Sequence, residues 1–223
     1  VREIKQHRSQ AKQELMAAAA ARLLIDEGPS AVTHRRAAEA AGLAAGSGNY
    51  YFPSKKELFR AAVAGAEDLR SESALKVARD CHGGEESLTS VALRLMAIYF
   101  APKLGSNVVT ARLNPILEAG HDPELQEIIR NHQPLLAGAL NIGLERMTGQ
   151  TLASNDMKLL MQTIGASLLY GFALGEDDLL GYSARSIARI LDLLDVRVAA
   201  APDHRPACPA GGPEAQPSTA QAR

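Results

Sequence analysis

The sequence predicts an all-α protein with a helix-turn-helix head and a larger helical body. Three observations predict it. Hydrophobic residues make up 46% of the 223, yet aromatics are only 4% and Trp is absent, so the core is built of Ala, Leu, Ile, Val and Met. Alanine and leucine lead the helix propensities, and alternating strand-like runs are scarce. Finally, residues 33–55 read as two short helices about a glycine turn, closed by an aromatic plug and a new helix cap.

The head is taken in order. Residues 1–9 are polar and basic, with Arg2, Lys5 and Arg8, and are expected to form a flexible arm. A first helix is expected from about Gln10 to Asp26, with Leu15, Ala18, Ala19, Arg22, Leu23 and Ile25 along a stripe and Gly28-Pro29 as its stop. Thr33 is a good N-cap for a second helix to about Ala41, whose Ala37, Ala38 and Ala41 would let it cross the first closely. Gly42 turns the chain because glycine takes φ > 0 at little cost. A third helix is expected over Ala45 to Tyr51. Pro53 ends it and disfavours a helical Phe52. Ser54 and Glu57 have capping-box spacing and open a fourth helix running to about Arg79.

The body continues in helices. They are expected from about Glu86 to Lys103, Asn107 to Ala119, Pro123 to Met147 with a kink at Pro134, Ser154 to Leu174, and Ser183 to Ala199. Ser154 and Ser183 are the expected caps of the last two. Both of those helices are apolar over more than one face, and Gly165 and Gly171 would admit a partner helix, which points to a dimer interface. The resulting domain division is 1–9 arm, 10–56 head, 57–200 body and 201–223 tail. The tail holds five prolines among small and polar residues and is expected to be disordered.

Charge separates along the chain although the net value is only −1. Residues 1–60 hold ten Lys/Arg against six Asp/Glu, a balance of +4, and residues 61–201 hold twelve against seventeen, a balance of −5. A basic head on an acidic body suits a DNA-binding head whose body is held off DNA. Cys81 and Cys208 are far apart, with no CxxC, which fits a reducing cytoplasm and argues against a disulfide framework or structural zinc. Arg22 and the preceding Glu3 and Glu14 argue against reading the N-terminus as a signal peptide. No run is expected to approach the ~20 apolar residues of a membrane span.

Residues 13–59 strongly resemble the DNA-binding domain of the TetR family of bacterial transcriptional regulators. The resemblance is carried by Ala41-Gly42-Leu43, Gly46-Ser47 and above all Tyr50-Tyr51-Phe52-Pro53-Ser54-Lys55-Lys56-Glu57-Leu58. Asn114-Pro115-Ile116-Leu117-Glu118 and Asp122-Pro123-Glu124-Leu125 are similar to body segments of many members. The resemblance implies about nine helices: a three-helix head, a fourth helix linking it to a ligand-binding body, and a last pair forming a four-helix bundle with a second copy. It implies a homodimeric repressor of an operator, released when a small-molecule effector spreads the heads. By position, Thr33 and Tyr50 or Tyr51 would bond phosphates, Ala45, Gly46, Ser47 and Asn49 would lie on the groove side, and Lys55 would sit near another phosphate. Gly48 stands where the family usually has a larger apolar residue, which would loosen the recognition helix, and Ala44 and Ala45 replace more polar residues.

The chemistry of these residues suits DNA. Asn49 can pair bidentately with adenine and Ser47 can bond any base, while Arg35, Arg36, Lys55 and the arm supply phosphate charge and hence salt-dependent affinity. Phe52 and one of the two tyrosines are expected in the core, and His34 is expected at the surface. The polar residues of the body helices, Tyr99, Arg112, Asn114, His121, Asn141, Gln162 and Tyr170, are the candidate effector contacts. Glu118, His121 and Asp122 are too mixed a set beside a helix end to indicate a metal. No cofactor is implied. HExxH, GxxxxGK and GxSxG are absent, and SxxK occurs twice in unrelated helices (residues 9–12 and 73–76), so no enzyme is indicated. The alternative reading is an all-α ligand-binding or interaction protein whose head no longer binds DNA.

Overall fold

A computed structural model describes residues 2–85, 87–104 and 108–198. Among the described residues the chain forms nine α-helices and no strand. They are α1 (Arg2–Glu27), α2 (His34–Ala40), α3 (Gly48–Tyr51, entered through a tighter 3-10 turn at Ala45–Ser47), α4 (Lys55–Asp80), α5 (Leu88–Tyr99), α6 (Asn114–Ala119), α7 (Pro123–Thr148), α8 (Ser154–Leu174) and α9 (Leu179–Leu193). A wide π-helical turn, Val109–Leu113, leads into α6.

The head follows its punctuation. Thr33 caps α2 by accepting a hydrogen bond from the Arg36 N–H at 3.3 Å. Gly42 takes φ 69°, the left-handed turn that frees the chain from α2. Phe52 leaves α3 in an extended conformation ahead of Pro53. Both halves of the Ser54–Glu57 capping box are made and start α4. Met16, Ala20, Ala21 and Leu24 of α1 meet Ala37 and Ala38 of α2, Phe52, and Leu58, Ala62 and Val63 of α4 in one buried cluster. Alanines dominate the contact, so the helices approach closely and the aromatic Phe52 closes the end.

The same cluster reaches Ala119 and Leu125, at the α6–α7 turn of the body. α4 thus belongs to both parts, packing on α1 at its head end and along α7 beyond. The body core contains Val91, Leu95, Met96 and Ile98 of α5, Leu140 and Leu144 of α7, Leu160, Ile164 and Leu168 of α8, and Ile187 and Leu191 of α9, all fully buried. Gly143 leaves room there for the end of the Ile98 side chain. A methyl group at that position would stand inside contact distance of the Ile98 side chain.

Several expectations are corrected. α1 starts at Arg2 instead of near Gln10, because residues 2–9 contain neither Gly nor Pro and polar residues alone do not stop a helix. α5 is shorter than the expected 86–103, with Ser87 and Ser90 forming its capping box and Phe100 ending it. Ala153, not Ser154, stands at the α8 cap position, with no side-chain cap. α9 starts a turn before Ser183, because Asp178 accepts from the Gly181 N–H at 3.0 Å and Ser183 is buried within the helix. It stops at Leu193, where Asp195 takes a left-handed φ of 56° and the following Arg197 N–H bonds Gln150. The two glycines of α8 serve this chain: Gly171 clears Leu179 and Tyr182, and Gly165 faces the Tyr99 hydroxyl. One helix, α8, is long and apolar enough on average to cross a membrane, against the expectation from its sequence, and its buried residues contribute to the body core. Residues 201–223, with Cys208, lie outside the described residues, as does Asn107.

Candidate nucleic-acid interface and body cavity

The recognition segment is held from behind by His34. Its Nε2 lies 2.8 Å from the Phe52 carbonyl oxygen, at the end of α3, and its Cβ lies against Gly48. A Cβ on Gly48 would stand 2.9 Å from that of His34 and 3.0 Å from the His34 carbonyl oxygen. Gly48 is buried, so the expected looseness is replaced by a close contact between the starts of α2 and α3. From α1, Gln13 donates to the Tyr51 carbonyl at 3.0 Å, taking up a second carbonyl at the same helix end.

With its back fixed, the segment presents Ala45, Gly46, Asn49 and Tyr50 to solvent. Tyr50 is 74% exposed and stands edge-on against the half-buried Tyr51, ring centroids 5.1 Å apart. The Ser47 hydroxyl donates to the Ala44 carbonyl at 2.7 Å, which leaves its lone pairs as acceptors. Lys55, exposed at the first turn of α4, makes no ion pair among the described residues. The two arginines of α2 differ from it. Arg36 is paired with Glu27 at 2.7 Å, which raises its pKa, and Arg35 with Glu39 at 3.4 Å. Their charge is therefore partly spent within the head, and Lys55 is the more available cation.

Behind the head, α4 is fixed by two charged clusters that the sequence did not single out. Near its start, Arg60 and Lys56 meet Asp122 at the α6–α7 turn. Further along, Glu67 is buried between Arg70, which donates to it at 3.0 Å, and Arg112 of the π-helical turn. Burial pushes the Glu67 carboxyl up, but the charges of Arg112 and Arg70 outweigh it and hold it below the usual range. Burial and the neighbouring Arg112 lower Arg70 to about 10. Arg70 also donates to the Ala111 carbonyl at 2.8 Å, tying α4 to the segment before α6.

The body holds a cavity of about 890 Å³ between α5, α6, α7 and α8. Of the seven residues expected there, Tyr99, Asn141 and Gln162 line it. Asn141 is engaged structurally: its amide bonds both the N–H and the carbonyl of Leu152, at 2.9 and 3.0 Å. Arg112 lies behind the Tyr99 ring, 5.6 Å from its centroid. Asn114 starts α6, His121 is exposed in the α6–α7 turn, and Tyr170 is 66% exposed; none of the three is among the lining residues. Met157 and Met161 are buried on the apolar side of α8, yet both also form the cavity wall, together with Leu113, Ile116, Gln133 and Lys158. Helical spacing marks a buried face without distinguishing packed from hollow. Among the described residues no cluster of His, Cys, Asp or Glu could hold a metal.

Residues 17–62 match the family model of bacterial regulatory proteins, tetR family. The fold is similar to the crystal structure of a TetR transcription regulator from Haloarcula marismortui ATCC 43049, with a TM-score of 0.56 and 17% identity over 82% of this chain and 98% of that one. No match was found among curated proteins.

Proposed function

We propose that the chain, whose residues 17–62 match the tetR family model and whose fold is similar to that of a TetR transcription regulator, is a DNA-binding transcription regulator of that family, acting as a homodimeric, ligand-responsive repressor in the cytoplasm, without catalytic activity. The carrying observation is the recognition segment. It is braced from behind by His34 and Gln13, and its outer residues Asn49, Tyr50 and Lys55 remain exposed. In this reading Asn49 and Ser47 contact base edges, and Thr33, Tyr50 or Tyr51, and Lys55 hold phosphates. Ala45 and Gly46 permit close approach to the groove.

Dimerisation through α8 and α9 is supported by the apolar side chains they leave in solvent. Leu159, Tyr170, Phe172, Leu174 and Leu193 are each at least 43% exposed. A two-fold dimer places two heads on half-sites roughly 34–36 Å apart, or a related helical spacing, so the operator is an inverted repeat. Effector response is supported by the cavity beside α7, against which the linking helix α4 packs. A coupling of about 1–3 kcal/mol would weaken DNA binding about 5–150-fold.

The test is fluorescence anisotropy of labelled DNA from upstream of the protein's own gene, at several salt concentrations. Binding that falls steeply with salt is the expected result. No binding, or a flat salt response, would sink the repressor reading and favour a head that has lost DNA.

A further inference from the structure

Tyr99 is the most buried polar side chain lining the cavity. It ends α5, is 5% exposed, and carries the Arg112 guanidinium over its ring. Its hydroxyl faces α8, where a Cβ added at Gly165 would stand 3.7 Å away. That hydroxyl makes no hydrogen bond to any described residue. Among the described residues the buried side-chain atoms without a partner are Arg112 Nε and Ser183 Oγ, so the Tyr99 hydroxyl opens onto the cavity, where it stands as an available donor. Burial also pushes its pKa up, which keeps the proton on the oxygen.

The rest of the wall narrows the choice of ligand. Leu113, Ile116, Ala137, Met157, Met161 and Leu169 make it mainly apolar, and the methionines can adapt to shape. Its α8 side runs from Ser154 to Leu169, about 22 Å of helix. Gln133, Ser154, Lys158 and Gln162 are exposed, and the Asn141 amide is already bonded. A buried carboxylate needs two or three donors, and the nearest buried cation, Arg112, lies behind the ring and is paired with Glu67.

We propose that the cavity takes an uncharged, elongated, largely apolar molecule bearing a carbonyl-type oxygen, and that this oxygen accepts a hydrogen bond from the Tyr99 hydroxyl. The inference rests on reading the body as an effector domain. It also places the contact well for signalling: Tyr99 touches Arg112, and Arg112 holds Glu67 of α4.

The experiment displaces Nile red, a neutral apolar dye, from the full-length protein. The competitors are hexanophenone, its isostere hexylbenzene, and the anion 6-phenylhexanoate. Hexanophenone should bind, and Tyr99→Phe should weaken it about five- to tenfold while leaving hexylbenzene unchanged. Retained hexylbenzene binding reports an intact cavity. If the variant loses that too, Gly165→Val crowds the hydroxyl from the opposite wall and should weaken the ketone at least as much. Unchanged ketone binding in the informative variant, tighter binding of the anion, or no displacement by any competitor overturns the inference. Repeating the titration on labelled upstream DNA separates the two readings. Tyr99-dependent ketone binding that leaves DNA affinity unchanged keeps this inference and defeats the effector reading. Ketone-driven release that ignores Tyr99 does the reverse.

Discussion

Arg60 grips Asp122 with two hydrogen bonds, Nε to one carboxylate oxygen at 2.9 Å and Nη2 to the other at 2.8 Å. Lys56 adds a second cation at 3.4 Å, and Arg60 reaches on to Glu124 at 2.5 Å. The same carboxylate caps α7 through the Glu124 N–H. One side chain therefore starts a body helix and holds the head end of α4. The Arg60 hydrogen bonds keep its pKa well below the usual carboxylate range. Asp122→Asn separates the two jobs, since Asn is as good a cap as Asp but gives up the ion pairs. Thermal unfolding across a salt series should rank wild type above Asp122→Asn, and that above Asp122→Ala. The gap between wild type and Asn should shrink with salt. Equal melting of wild type and Asp122→Asn would show that the pair does not brace α4.

Gly48 is the second point of test. Glycine to alanine in a helix ordinarily stabilises by about 0.5–1 kcal/mol. Here the new methyl would meet the His34 Cβ and the His34 backbone carbonyl, and backbone cannot swing aside. Overpacking of that kind costs about 1–3 kcal/mol, so the clash should win. Urea unfolding of Gly48→Ala should show lower stability. A stability gain would mean that α2 and α3 separate more easily than their contact indicates.

The head was legible because its boundaries are written in residues with one physical use each. Thr33, Gly42, Pro53 and Ser54–Glu57 act locally, within four residues, and the structure places each as expected. Gly48 was misread because its reason is His34, fourteen positions away. The body was legible as helices but not as a site. Asp178 displaced Ser183 as the α9 cap, and sequence offers no ranking between two good caps one turn apart. Arg112 was picked out as a polar residue in an apolar segment, but its partner Glu67 lies 45 positions earlier and only packing brings them together.

At the DNA surface the residues should separate by kind of contact. Asn49→Ala should cost about 1–3 kcal/mol against the operator and little against random DNA, because a base contact carries sequence. Lys55→Ala should weaken both about equally and reduce the slope of log affinity against log salt by about one. Arg36→Ala should change that slope less than Lys55→Ala, because Glu27 already occupies the guanidinium. Anisotropy titrations of the three variants on both DNAs measure all of this. An Arg36 effect larger than that of Lys55 would contradict the assigned pairing.

Glu67 should be intolerant of neutralisation. It is the one carboxylate between two buried arginines, and the Arg112 Nε is already without a partner. Removing one partner of a buried ion group costs about 3–5 kcal/mol, since the charge left behind stays desolvated. Glu67→Gln should therefore lower stability by about that amount in urea unfolding. A simultaneous Glu67→Leu, Arg70→Met, Arg112→Met replacement should recover most of the loss. Failure of the triple variant to recover would mean that the cluster sets the packing of α4 and is not merely tolerated by it.

His132 gives α4 a pH-dependent tie. Its Nε2 lies 2.9 Å from the Asp68 carboxylate of α4 and its Nδ1 2.7 Å from the Ile128 carbonyl. Burial lowers its pKa, but the Asp68 and Ile128 hydrogen bonds and the nearby Glu67 charge outweigh that and leave it raised. A raised folded pKa means that the folded state binds the proton more tightly than the unfolded state. The resulting stabilisation is complete below the unfolded value of about 6.5 and is lost as pH rises through the higher folded value. Asp122 has the opposite sign: its stabilisation is fully present above its unfolded value of about 3.8 and is lost only as pH falls below that value toward the lower folded one. Between about pH 6 and pH 8.5 the change in melting temperature should therefore follow His132. Asp68→Asn removes the exposed partner and should flatten that profile without touching the buried Glu67 cluster. An unaltered profile in Asp68→Asn would show that the pair contributes nothing to the pH dependence of the fold.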